Sequence, residues 1–139
     1  MKLLTEKEMV DIALCRLKKL NIPACREVGF LSRSLDLVMN CGNDFFTVVE
    51  FKRNDWQRAI KQAKTHFLGA DRVYICLLPL RKITEKMKKE FIRNEIGLYF
   101  FNKSLDYPFE EKIPSSSSKF KNSIYRDWLK EAFFEKLKQ

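Results

Sequence analysis

Three residues have the types and spacing of a hydrolytic pocket. Glu50 and Lys52 stand two apart in the segment Phe45-Phe46-Thr47-Val48-Val49-Glu50-Phe51-Lys52, whose β-branched and aromatic content predicts a strand. Side chains two apart in a strand share a face. The carboxylate and the ammonium therefore point the same way as Val48, while Val49 and Phe51 point the other way. Charges in a strand that is apolar on both parities are costly unless they have a partner or a task. Asp36 lies in the preceding predicted strand, across the turn cluster Cys41-Gly42-Asn43-Asp44. If that turn closes a hairpin, Asp36 and Glu50 approach each other across the ladder. Two carboxylates held together repel, and a divalent cation relieves the repulsion by taking oxygen ligands. The main-chain carbonyl of Phe51 can add a further oxygen. Lys52 can position a water or stabilise charge developing on a phosphate oxygen. The chemistry expected of this set is metal-assisted hydrolysis of a phosphodiester. An E-x-K alternation alone is an ordinary exposed ion pair; the apolar strand, the nearby aspartate and the basic helix that follows point to more.

The elements that must position these residues are legible from periodicity. Residues 5–21 predict a helix, capped by Thr5 with Glu8 completing a capping box and with Met9, Val10, Ala13 and Leu17 on one face. Strands are predicted over 25–30, 34–40 and 45–52. Asp55 caps a second helix, with Trp56, Ile60, Ala63 and Phe67 as its buried side, and Gly69 stops it. Residues 72–78 form a nearly continuous apolar run suited to a buried central strand. Thr84 caps a basic helix to about residue 94, and residues 98–102 form a last strand. Over 103–121 the periodicity fails. Pro108, Pro114 and the run Ser115-Ser116-Ser117-Ser118 predict a mobile connection to a terminal helix over 123–137. The expectation is one α/β domain spanning 1–139: an antiparallel meander, then helical crossovers, giving a central mixed sheet flanked by helices.

Charge points to a polyanionic partner. The chain of 139 residues carries a formal net charge of +9. Residues 52–93 hold twelve basic and four acidic groups, whereas 1–51 hold seven of each. A basic region concentrated in one part of the chain suits a phosphate backbone, although a solvated face has the same composition. Zinc-type ligand spacing is absent: the cysteines, Cys15, Cys25, Cys41 and Cys76, form no CxxC pair, and His66 is the single histidine. All four thiols are expected reduced and mostly buried. No apolar run is long enough for a membrane span, and the charged N-terminus does not read as a signal peptide, so a cytoplasmic location is expected.

The segments Ser34-Leu35-Asp36-Leu37-Val38 and Val48-Val49-Glu50-Phe51-Lys52, the helix carrying Gln62, and Ala70-Asp71-Arg72-Val73-Tyr74-Ile75 resemble the PD-(D/E)XK nucleases of restriction-endonuclease-like fold. The resemblance covers residues 5–78 and includes the element order αβββαβ, to which a C-terminal helix is added. It lacks the proline of the nominal signature, which is replaced by Leu35. It implies Asp36 and Glu50 as ligands of Mg²⁺ or Mn²⁺, helped by the Phe51 carbonyl, and Lys52 as the catalytic lysine. An acidic residue from the first helix often joins the site; Glu6 is preferred over Glu8, which suits a capping role. Gln62, with Gln57 as second choice, fits the glutamine that some subfamilies place on the following helix. Where those subfamilies carry a tyrosine four residues later, this chain has His66, read as a phosphate contact or as a solvated or capping residue.

For nucleic-acid contact, Arg33, Arg53, Arg58 and Lys61 lie near the motif in sequence. Lys82, Lys86, Lys88, Lys89 and Arg93 read as a solvated helix face, and Trp56 as core. The expectation is thus a DNA endonuclease, with RNA as a possible substrate and a homodimer as the form able to cut both strands. The competing expectation is a non-catalytic or partner-dependent nucleic-acid-binding protein of the same fold.

Overall fold

A strand apolar on both faces must be covered on both, and that requirement organises the molecule. The computed structural model describes residues 3–139. Its elements are α1 (Glu6–Lys19), β1 (Ala24–Phe30), β2 (Arg33–Asn40), β3 (Phe46–Lys52), α2 (Trp56–Ala63) continued by a 3₁₀ turn (Lys64–Leu68), β4 (Arg72–Leu77), α3 (Glu85–Arg93), β5 (Gly97–Phe101), β6 (Phe109–Ile113) and α4 (Ser123–Leu137). The six strands form one sheet in the order β1-β2-β3-β4-β5-β6. β1, β2 and β3 are antiparallel neighbours. β4 and β5 join in parallel through the α2 and α3 crossovers, and β6 returns antiparallel. The fold is therefore α/β with a mixed sheet between helical layers, as the alternation of periods implies.

Each face has its own core. α1 lays Met9, Val10, Ala13 and Leu17 against Leu37, Val49, Phe51 and Cys76. On the opposite face, Ala59, Ile60 and Ala63 of α2, Phe91 of α3 and Leu129 and Phe133 of α4 cover Val38, Val48, Val73 and Ile75. Trp56 is half-buried and stacks on Phe91 with centroids 5.9 Å apart, a core role. The predicted caps are present: Thr5 and Glu8 exchange both capping-box hydrogen bonds at 3.0 Å, and the Asp55 carboxylate accepts from the Arg58 N–H at 3.3 Å. The α3 cations Lys88 and Arg93 are exposed and paired with Glu85 and Glu90 one turn earlier.

Two expectations need correction. The segment 103–121 is not a structureless connection, and 98–102 is not the last strand. Residues 109–113 add β6 beside β5, and the serine run is tied to the body by its hydroxyls and amides. Ser115 is buried; its Oγ accepts from the Val73 N–H at 3.1 Å, and the Ser116 N–H donates to the Glu95 carbonyl at 3.1 Å. The Ser118 N–H donates to the Asp71 carbonyl at 2.8 Å and its hydroxyl to the Phe67 carbonyl at 2.6 Å. Gly97 is required by this packing, because a Cβ there would stand 2.3 Å from the Tyr74 ring and 2.7 Å from the Ser115 nitrogen. The thiols also divide: Cys25 and Cys76 are buried, while Cys15 and Cys41 are exposed. Among the described residues no helix is long and apolar enough to cross a membrane.

Candidate active site

The site forms where a ladder ends. β2 and β3 pair from Asn40↔Phe46 to Leu37↔Val49, and there the pairing stops. Continued by one step, the register sets Asp36 opposite Glu50. Past the last pair the strands' own N–H groups need new acceptors, and the two carboxylates supply them. The Phe51 N–H donates to Asp36 Oδ2 at 2.8 Å, and the Asp36 N–H approaches Glu50 Oε1 at 3.4 Å. Each acidic side chain thus reaches across to the other strand, and the pair is held together by the backbone that carries it.

A cavity of about 310 Å³ opens over this pair. Asp36 and Glu50 share it with Lys52, Gln62, Arg33 and His66; Ser34 and Ala59 complete the wall. Glu50, Lys52 and Val48 share a face, but Val48 lies under α2 while the charged pair lies beyond the packed region, at the strand's C-terminal end. Burial, then the adjacent Glu50 carboxylate, raises Asp36 to about 7; the Phe51 N–H and Lys52 oppose that rise without cancelling it. The electrostatic condition of this pair is excess negative charge in a partly dry place.

The other expected residues fall at varying distances from this centre. Glu6 is exposed and accepts from the Arg53 N–H at 3.2 Å. It lines a second cavity of about 290 Å³ with Asn54, Asp55 and Arg58. Lys52 and Gln62 line both cavities, so Glu6 stands one compartment away from Asp36 and Glu50 rather than beside them. Of the two candidate glutamines, Gln62 reaches the site; Gln57 lies instead in a groove between α2 and α3, as does Lys61. The Arg53 side chain is exposed and lines neither compartment. Phe51 buries its ring in the α1 core, which leaves its main chain as its contribution to the site. Arg33 and Arg58 each line one of the two cavities.

His66 is where the structure departs furthest from expectation. It is neither solvated nor a cap: it is 3% exposed, and its Nε2 lies 3.2 Å from Glu50 Oε1. The signal for it was its position four residues after Gln62, one helical turn on the same side.

Among the described residues, no ion pair engages Arg33, Lys52, Arg53, Arg58, Lys61 or Lys64, whereas Arg26, Lys112, Lys119 and Lys130 are each paired with a carboxylate elsewhere.

The donor set fits a hard divalent cation. Two carboxylates face one another, one of them raised in pKa by burial and by the other, and a small dication that keeps several waters needs few protein ligands. Among the described residues no cluster of three or more His, Cys, Asp or Glu side chains is arranged as a metal cage. The remaining ligands would come from main-chain oxygen and water.

Comparison with known proteins adds a fold and no function. No family model and no curated protein matches the chain. A solved structure does. It is described as "SPO1766 protein of unknown function from Silicibacter pomeroyi", and it superposes with a TM-score of 0.66 at 16% identity, covering 95% of this chain and 86% of that one. The likeness is one of fold over nearly the whole length.

Proposed function

We propose that this chain is a Mg²⁺- or Mn²⁺-dependent nuclease of the PD-(D/E)XK, restriction-endonuclease-like kind, hydrolysing phosphodiester bonds of DNA endonucleolytically. The observation that carries the reading is the pairing of Asp36 with Glu50 at the open end of the β2–β3 ladder, with Lys52 in the same cavity. The α/β element order and the placing of Arg33, Lys52 and Arg58 around the two cavities support it.

In this reading Asp36, Glu50 and the Phe51 main-chain oxygen hold the cation. When bound, that ion supplies a water of lowered pKa and polarises a phosphate oxygen. Lys52 holds a positive charge over the position where negative charge develops. Gln62 orients groups between the two compartments it lines, and Glu6 acts at the edge of the second. Arg33, Arg58, Lys61 and Arg53 neutralise phosphates on the approach, with little sequence information in such contacts.

The test is incubation of the purified chain with plasmid, branched and linear DNA and with RNA, with Mg²⁺, Mn²⁺ or chelator. Cleavage that needs the ion and is lost in Lys52→Ala supports the reading; cleavage unchanged in Lys52→Ala removes it. Thermal unfolding against Mn²⁺ concentration gives an independent check. The midpoint should rise, because binding to the native state adds about 2.7 kcal/mol of stability at a hundredfold excess over Kd, and Asp36→Asn should show little rise. Nucleic-acid binding without turnover would instead mark a binding protein of the same fold. Sedimentation of the active species decides whether double-strand cutting uses a homodimer.

A further inference from the structure

We infer that His66 is a positioning residue for Glu50, fixing one oxygen of that carboxylate so that the other alone is presented to a bound cation. The inference rests on the proposed nuclease reading and goes beyond it by giving a role to a residue that the catalytic motif does not contain.

The geometry is specific. The ring is buried in the wall of the cavity, and Nε2 stands 3.2 Å from Glu50 Oε1. The Asp36 N–H approaches the same oxygen from the neighbouring strand at 3.4 Å. Oε1 therefore lies between the Asp36 amide and the imidazole edge. Among the described residues no hydrogen bond is made to Oε2, and Glu50 lines the cavity. A carboxylate free to rotate would offer either oxygen or both; contacts gathered on one oxygen favour a single orientation.

The ring is itself well anchored. It sits in the 3₁₀ turn Lys64–Leu68, between the buried side chains of Ala63 and Phe67. The His66 carbonyl accepts from both the Gly69 N–H at 3.1 Å and the Ala70 N–H at 2.9 Å, which closes the turn beneath it. The inference puts the proton on Nε2, which makes that nitrogen a donor to Glu50 rather than a metal ligand. Donors behind a ligating group orient it and tune its affinity, and their loss commonly lowers metal affinity about 10- to 100-fold.

Three variants and one spectrum test this. His66→Leu removes the donor, His66→Gln returns an amide donor near the Nε2 position, and Glu50→Gln changes the acceptor. The Mn²⁺ concentration for half-maximal thermal stabilisation and for half-maximal cleavage should rise about 10- to 100-fold in His66→Leu. It should recover in large part in His66→Gln, while the KM for DNA stays near wild type. The chain has one histidine, so its imidazole ¹⁵N signals need no assignment. They should report a proton on Nε2, should shift in Glu50→Gln, and should move with added Mg²⁺ in the wild type but not in Asp36→Asn. Metal half-saturation unchanged in His66→Leu, or a proton on Nδ1 with Nε2 bare, overturns the inference. A wild-type chain that binds no divalent ion overturns the nuclease reading instead; the role of His66 is then decided by the imidazole response to Glu50→Gln, whose absence overturns it.

Discussion

Two aspartates of this molecule are each largely withdrawn from water, and they have opposite surroundings. Asp71 has a side chain only 2% exposed, yet it is fully served: it accepts from the Phe46 N–H at 2.7 Å, from Lys121 at 2.5 Å and from Arg126 at 2.9 Å. Arg126 in turn donates to the Asp44 carbonyl, so this cluster bolts α4 and the segment before it to the N-terminal ends of β3 and β4. Asp36 has one backbone donor, a second carboxylate opposite, and a cavity above. A buried charge with its partners supplied is architecture; a buried charge left beside a like charge is poised for a ligand.

The contrast can be broken at either end. The largest effect is expected at the bolt. Asp71→Ala strands two cations and an amide, so urea unfolding should show a loss of about 3–5 kcal/mol, with the Mn²⁺ response of the folded protein unchanged. A loss well under 1 kcal/mol would mean that the cluster is not what secures α4. Next is Lys52→Ala, which should reduce metal-dependent cleavage about 10²–10³-fold while leaving the unfolding midpoint close to wild type.

The pH dependence sharpens the comparison further. Asp36 is raised from 3.8 to about 7 in the folded state, so the folded chain holds a proton that the unfolded chain has released. For the metal-free protein this costs stability above about pH 7 and costs nothing below about pH 4. The contribution is on the order of 2 kcal/mol after allowing for partial solvation. Urea midpoints should thus fall between about pH 4 and 7 relative to Asp36→Asn, in which that component is absent; parallel curves for the two proteins would contradict the assignment. The smallest effect belongs to the approach cations. Arg58→Ala with Lys61→Ala should reduce the slope of log affinity against log salt by about 2 on duplex DNA, whereas Lys88→Ala with Lys138→Ala, both partnered one turn away, should leave it unchanged.

Most of the architecture was readable because it rests on local signals. The Thr5, Asp55 and Thr84 caps and the stripe of α1 marked their own limits to within a residue or two, whereas α2 gives way to a 3₁₀ turn at Lys64, short of the predicted stop at Gly69. β6 escaped because an edge strand needs little apolar content: in Phe109–Ile113 only the two ends are buried, and Glu110, Glu111 and Lys112 between them are half-buried or exposed. The serine run escaped because hydroxyls that substitute for backbone partners look, in one dimension, like those of a flexible tether. At the site, the hairpin placed Asp36 and Glu50 as opposed neighbours, since parity and a short turn suffice for that. Glu6 was placed too close, because a helical stripe gives direction but not reach. His66 was undervalued for a related reason: its burial depends on the tightening of α2 into a 3₁₀ turn, which no side-chain pattern announced.

The early end of the β2–β3 ladder has one more consequence. The amides of Asp36 and Phe51 occupy part of the carboxylates' hydrogen-bonding capacity. In the proposed reading, a cation drawing on the same two carboxylates would change how tightly these strand-end amides are held. Deuterium uptake at those two positions would therefore report on occupancy directly, without any substrate being cut.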